Sequence, residues 1–392
     1  MIKALDGLKV LDLCRSYPPA FNTMIMADFG ADVIKIDPIG FVPPLPIPIT
    51  EDEFSTYYHF DRNKRSIKLN LRSQIGKDIF YKFCEDADVL IENSRPGTME
   101  RLGIDYNNLK QKNPKLIYCS VSGYGQDGPY SNRVGHDANY LGIAGVLSMI
   151  GPKDGPPCMP SNIIADTAGS GLHPLIGILI ALRVRDRTGK GQYIDISYTD
   201  SAFSMLGFDI AMYLCTGEKR RRGYTYQTGS EPTANIYKTK DGEYIAIQFV
   251  ETQFWANFCQ HVGRPELIDY LWAKDEKRKK ELYAFLRELF LTKTKEEWWE
   301  WSKDKQVMLA PVNYIEEALN DPQLKHRKMV TETEHPKFGK IIQIGNPFKL
   351  SDTPPRTKGL SPKFGEHTSQ VLKELGYSDQ QITSFRNNGV IE

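Results

Sequence analysis

The first 125 residues alternate between two hydrophobic periods, and few folds satisfy that alternation. KVLDLC (9–14) is a short apolar strand pattern, FNTMIMADFG (21–30) has helical spacing and stops at a glycine, and ADVIKID (31–37) is strand again. SIKLNL (66–71), IGKDIFYKFCEDA (75–87) and DVLIEN (88–93) repeat the cycle, and KLIYCSVSGYG (115–125) adds a strand that ends in a glycine-rich turn. Right-handed crossover makes such strands parallel. The expected fold class is therefore α/β, a Rossmann-like doubly wound sheet whose ligands gather beyond the carboxyl ends of its strands.

A chain of 392 residues has room for a second domain. The pattern changes near residue 205. A charged linker, KRRRG (219–223), precedes a hairpin over NIYKTKDGEYIAIQF (235–249) and two charged helical stretches, 276–290 and 294–307. This predicts a large domain over 1–205, a linker over 206–230, a small α+β domain over 231–310 and a second linker over 311–330. Residues 331–392 then return to the large domain, ending in two amphipathic helices. A buried helix is expected over 166–186. The proline-rich stretch PIGFVPPLPIPITEDEF (38–54) forbids regular structure and reads as a surface loop or a lid.

Several functional classes drop out. Fifty basic residues oppose forty-nine acidic ones, so no net field selects nucleic acid or an anionic membrane. The most apolar run, LIGILIAL (175–182), is far short of the roughly 20 residues that span a bilayer. The opening MIKALDGLKVLDLC lacks the apolar core of a secretory leader. Six scattered cysteines, without zinc spacing, fit reduced thiols in a cytoplasmic protein. LCRSYPPAF stands where a dinucleotide fold would place GxGxxG, and no P-loop, GxSxG or HExxH occurs.

Two kinds of chemistry-bearing residue remain. Arginines in RNKRSIKLNLR (62–72) and ENSRPGTMER (92–101) can grip a phosphate by paired hydrogen bonds, or can simply be solvated. In VGHDANYLGIAG (134–145), His136 and Asp137 stand side by side at a helix entrance; His136 suits a general base, while Asp137 suits a cap. Asp166 opens the next helix, and Glu251 follows a strand. From spacing alone, a structural role is as good an account of each as a chemical one.

Ordered blocks along nearly the whole chain resemble the family III CoA transferases, and within that superfamily most closely the α-methylacyl-CoA racemases. They include LDGLKVLDL, MADFGADVIKID, NKRSIKLNL, ADVLIENSRPGTMERLGI, NPKLIYCSVSGYGQDGPY, RTGKGQYIDIS, APVNYIEEALNDPQ and FGEHTSQVLKELGYSDQQI. GHDANY (135–140), ADTAGS (165–170) and ETQF (251–254) carry the racemase likeness. The resemblance implies that His136 and Asp166 are two proton-transfer bases, with Asp137 and Glu251 as a supporting pair. It places Leu69, Asn70, Leu71 and Arg72, together with Gly135, Ala138, Asn139 and Tyr140, along a CoA site, and brings Arg95 to CoA phosphate or adenine. It further implies an interlocked homodimer, an acyl-CoA substrate, and no metal or cofactor beyond the CoA moiety. Two bases on opposite faces of an acidified thioester α-carbon suffice to invert it through an enolate. The implied activity is racemisation of 2-methylacyl-CoA thioesters. A second reading is a transferase that moves CoA between carboxylic acids with Asp137 as nucleophile; a third is a CoA-binding protein without catalysis. Three features depart from the racemase pattern: Pro38 without an arginine after the second strand, the long proline-rich loop, and Ser170 in place of a glycine.

Overall fold

The computed structural model describes residues 2–41, 50, 52, 53, 56 and 58–392. The core of the proline-rich stretch 38–54, read above as a loop or lid, falls outside the described residues. The chain divides into two compact units. The first joins residues 1–144, 161–205 and 322–392; the second joins 145–160 and 206–321.

The first unit is built on a six-stranded parallel sheet. Its strands are β1 (Lys9–Asp12), β2 (Asp32–Asp37), β3 (Arg65–Lys68), β4 (Val89–Glu92), β5 (Ile117–Ser122) and β6 (Tyr193–Ser197), in the order β3-β2-β1-β4-β5-β6. This is the doubly wound order, with the reversal between β1 and β4. The central strands are apolar and buried on both faces, as parallel strands under helices must be. The helix Gln74–Asp86 starts where Ser73 caps it, its side chain accepting the Gly76 N–H, and it buries Ile79, Phe80 and Phe83 in the sheet's core. The C-terminal helices Thr368–Glu374 and Asp379–Asn387 complete that same core with Val371, Leu372, Ile382, Val390 and Ile391. The tail is also tied to β3, where the Asn70 N–H donates to the Val390 carbonyl and Lys68 pairs with Glu392.

The second unit carries an antiparallel sheet of β7 (Ala234–Lys238), β8 (Tyr244–Gln248) and β9 (Leu309–Pro311). An aromatic core of Trp255, Phe258, Phe290 and Trp298 lies against it. The stretch 145–160, assigned from sequence to the large domain, packs with this unit instead. Arg222 explains why: its N–H donates to the Ser148 carbonyl and its guanidinium to the Gly155 carbonyl, while the Tyr224 hydroxyl reaches Asp154. A further hairpin, β10 (Val330–His335) and β11 (Gly339–Ile344), belongs to the first unit and is not anticipated from sequence.

The buried helix expected over 166–186 is longer, and is not buried all round. Residues Ile163–Leu172 form a π-helix that runs without a break into the α-helix His173–Thr188. By length and composition this stretch would suffice to cross a membrane, which the apolar run 175–182 alone would not. One side packs on the sheet: Gly177 lies against Ile194 and Ile196, and Arg185 bonds Asp88 at 2.8 Å. Ile176, Leu179, Ile180 and Val184, at spacings of three, one and four, form an exposed apolar stripe on the other side.

Candidate active site

Three chain turns meet beyond the carboxyl ends of β1, β5 and β6. Tyr17 opens the helix Tyr17–Asp28 after β1, Gly123 follows β5, and Tyr198 follows β6, where the Thr199 N–H donates to the Gly123 carbonyl. Tyr140 fills the space between them. Its ring lies 5.2 Å from that of Tyr124 and 5.0 Å from that of Tyr198, and its hydroxyl donates to the Gly135 carbonyl. A Cβ on Gly123 or Gly135 would come within 3 Å of this ring, so both positions require glycine. Thus the glycine and tyrosine of GHDANY hold the loop shape.

The helix Asp137–Ala144 begins directly after His136. The His136 carbonyl accepts the N–H groups of Asn139 and Tyr140, and the Asn139 side chain reaches back to the His136 N–H at 3.0 Å. This cap leaves the His136 side chain exposed. Asp137 is 3 % exposed, and its Oδ1 accepts the Asp166 N–H at 2.9 Å. That bond ties the entrance of one helix to the first turn of the π-helix. It brings Asp166 next to the residue that follows His136 in sequence.

Asp166 is 7 % exposed. Burial, with the Asp137 carboxylate second, pushes its carboxyl up to about 7, against a hydrogen bond from the Tyr17 hydroxyl that works the other way. Ser170 donates to the Asp166 carbonyl at 2.7 Å and is itself fully buried beside Tyr198, so the serine in ADTAGS fastens the π-helical turn. Single π-helical segments recur at functional sites because they re-aim a side chain within a helix. Tyr17 and Tyr198 carry no sequence signal; only the tertiary fold brings them here.

The other expected site residues divide. Leu69 is buried, its N–H donating to the Asp37 carbonyl, and the Asn70 side chain donates to the Gly389 carbonyl. Leu71 packs on the core. These three anchor the C-terminal tail to the sheet. The basic cluster 62–72 is mostly committed within the fold. Arg62 forks onto Asp28 at 2.9 and 2.6 Å, Lys64 bonds Asp12 and Asp61, Arg65 holds Asp32 and Glu374, and Lys68 holds Glu392. Among the described residues, Arg72 alone of the cluster's cations is exposed with no partner for its guanidinium. Ala138 and Asn139 line an open cleft of about 660 Å³ with Tyr124, Arg133 and Ile143. Arg95 is exposed at the mouth of a separate cavity. Glu251 lies in the second unit, at the exposed N-terminus of the helix Thr252–His261. Among the described residues, no cluster of His, Cys, Asp and Glu has the makings of a metal site.

The model of CoA-transferase family III matches residues 5–368. Human succinyl-CoA:glutarate CoA-transferase is 34 % identical, over 100 % of this chain and 90 % of its own length. Alpha-methylacyl-CoA racemase from Mus musculus is 35 % identical, over 99 % of this chain and 97 % of its own. The crystal structure of a CAIB/BAIF family protein from Brucella suis superposes with a TM-score of 0.80 at 29 % identity, covering 96 % of this chain and 100 % of that one.

Proposed function

We propose, from the premise that the chain belongs to CoA-transferase family III, that it inverts the α-carbon of an acyl-CoA thioester, with 2-methylacyl-CoA as the substrate class. One observation carries this reading. Asp166 has a carboxyl pushed up to about 7 by burial, and its N–H bonds the carboxylate of Asp137, the neighbour of His136 in sequence. A group poised near neutrality is matched to giving and taking protons. A nucleophilic carboxylate gains nothing from being half protonated at neutral pH. In this reading one of the pair, His136 or Asp166, removes the α-proton and the other delivers one to the opposite face. The Asp137 N–H stands in the first turn of its helix, where backbone donors have no intrahelical partner, and it receives the enolate oxygen. Arg72 grips a CoA phosphate.

The transferase reading keeps support from a relative 34 % identical, against 35 % for the racemase. In it Asp137 is the nucleophile, and its bond to the Asp166 N–H sets a second buried carboxyl beside it. The two readings part on one experiment. Incubation with acyl-CoA and hydroxylamine traps a carboxylate–acyl anhydride as a hydroxamate, and peptide mass spectrometry locates it. The racemase reading expects no adduct; a hydroxamate on the Asp137 or the Asp166 peptide would replace it with the transferase.

Homodimerisation belongs to the same proposal. The stripe Ile176, Leu179, Ile180 and Val184 leaves apolar side chains in water on an isolated chain. A second copy of the chain is the occupant the family likeness supports.

A further inference from the structure

The helix Glu276–Phe290 has two unlike faces. Leu282, Leu286 and Phe290 enter the aromatic core of the second unit. Glu276, Lys280, Tyr283 and Arg287, at spacings of four, three and four, share an exposed face instead. That face is one wall of a cleft of about 600 Å³, and Lys153 with the chain around Gly223 and Glu231 forms the other. All of these residues belong to the second unit, whereas Arg72, Arg95 and the GHDANY segment belong to the first.

The far wall is shaped to present Lys153. Gly223 has a φ of +71°, and a Cβ there would stand 2.4 Å from the Lys153 Cβ, so glycine is what admits the lysine so close. The Tyr224 hydroxyl donates to Asp154 at 2.6 Å, which fixes its ring, and the Lys153 ammonium lies 4.9 Å from the centroid of that ring. On the helix, the Arg287 guanidinium lies 5.8 Å from the centroid of Tyr283. Two cations are thus held by rings before any ligand arrives, which lowers the ordering cost of binding one.

The charge balance of the cleft is one-sided. Lys153, Lys279, Lys280 and Arg287 line it against two carboxylates, Glu231 and Glu276. Glu231 is already spent on Lys279, 2.8 Å away. Lys153, Lys280 and Arg287 make no ion pair or side-chain hydrogen bond among the described residues, and Glu276 alone stands against the three. Like charges gathered in one concavity repel each other until an anion enters, and the concavity focuses their field on that anion.

We propose that this cleft binds a small molecule bearing a diphosphate, whose oxygens accept from Lys153 on one wall and from Lys280 and Arg287 on the other. A single carboxylate would answer only one of the three free cations; a diphosphate spreads several negative charges over oxygens that reach both walls. The volume leaves room for a nucleoside on the diphosphate. The assignment does not rest on His136 and Asp166, nor on the racemase reading.

The test is isothermal titration calorimetry of the full-length protein, without CoA, against inorganic pyrophosphate and ADP, with citrate as a polyanion that carries no phosphate. Saturable binding of pyrophosphate and ADP is expected, weakening as salt is added. Tighter binding of ADP would name a nucleotide as the ligand, and equal affinities the bare diphosphate; both accord with the proposal. Lys153→Met and Arg287→Met, both at exposed positions, should each weaken binding by about tenfold, the loss of one charge-assisted contact. Glu276→Gln should tighten it by about twofold, since it removes the one free carboxylate. Absence of saturable binding overturns the proposal, as does citrate binding as tightly as pyrophosphate, which would reduce the cleft to diffuse charge. Affinity unchanged in both Lys153→Met and Arg287→Met but lost in Arg72→Ala would put the diphosphate in the CoA site and overturn it as well.

Discussion

Asp137 does two jobs, and asparagine separates them. Asp137→Asn keeps an oxygen to accept the Asp166 N–H but removes the charge that helps raise the Asp166 carboxyl. The Asp166 ionisation should therefore move down from about 7, and the acidic limb of the pH–rate profile should move to lower pH with it; a limb that stays in place would detach Asp166 from that limb. His136→Ala and Asp166→Ala should each cost at least about a hundredfold in turnover, the low end for losing a general acid–base group. Steady-state kinetics on purified variants measures this, and near-wild-type turnover in either removes that residue from the mechanism. Arg72→Ala should weaken acyl-CoA binding by about tenfold and leave turnover of bound substrate nearly unchanged, because it acts far from the reacting carbon. A Kd unchanged by that substitution would return Arg72 to ordinary solvated surface. At this scale the sequence was half legible. GHDANY advertises a capped helix with a histidine at its entrance, and that is how it folds. The basic run 62–72 misleads, because nothing local says that Arg62 meets Asp28 or Lys64 meets Asp12, partners 34 and 52 residues away.

Among elements, the ends of β1 and β2 carry a buried charge cluster that ties the sheet together and sets a pH signature. Lys64 bonds Asp12 at 3.0 Å and Asp61 at 2.8 Å, while Lys35 lies 3.8 Å from both Asp37 and Asp61. Burial alone would raise the Asp12 carboxyl, but Lys64, Lys35 and the Thr23 hydroxyl together hold it down to about 2. Asp37 has no hydrogen-bond donor among the described residues, and burial pushes it up to about 6 against the pull of Lys35. The two act in opposite windows. As pH falls through about 6 the folded chain binds a proton at Asp37 that the unfolded chain binds only near 3.8, so stability rises. As pH falls further, through 3.8 towards 2, the stabilising ionised form of Asp12 is lost and stability falls. Asp37→Asn should raise the unfolding free energy at pH 7.5 by on the order of 1–3 kcal/mol, seen as a higher denaturant midpoint, and abolish the rise on acidification to pH 5. A lower midpoint at pH 7.5 with the slope intact would show that the Asp37 charge is needed. Strand positions were legible because period two and period 3.6 are local properties. The π-helical turn at 163–172 and the attachment of 145–160 to the second unit were not. The first depends on Ser170 and Tyr198 meeting across the fold, and the second on Arg222 reaching carbonyls in the 148–155 loop.

For the whole molecule, the apolar stripe on the helix His173–Thr188 is the feature an isolated chain leaves unexplained. A covered stripe predicts a homodimer that persists on dilution and has no folded, active monomer, since a shared core makes stability depend on concentration. Sedimentation velocity should show a single dimeric species, and Ile180→Glu should break it or leave the chain aggregated. A stable, active monomer would contradict the dimer. The central claim is that His136 and Asp166 exchange the α-proton of a thioester, and it can be measured directly. Incubate an (R)- or (S)-2-methylacyl-CoA with the protein in deuterated water, with no acceptor acid present, and follow the α-position by NMR. The account predicts deuterium at the α-carbon together with appearance of the opposite epimer, both lost in Asp166→Ala. Retention of the proton in the intact protein, with CoA transfer appearing only when a carboxylic acid is added, would contradict it.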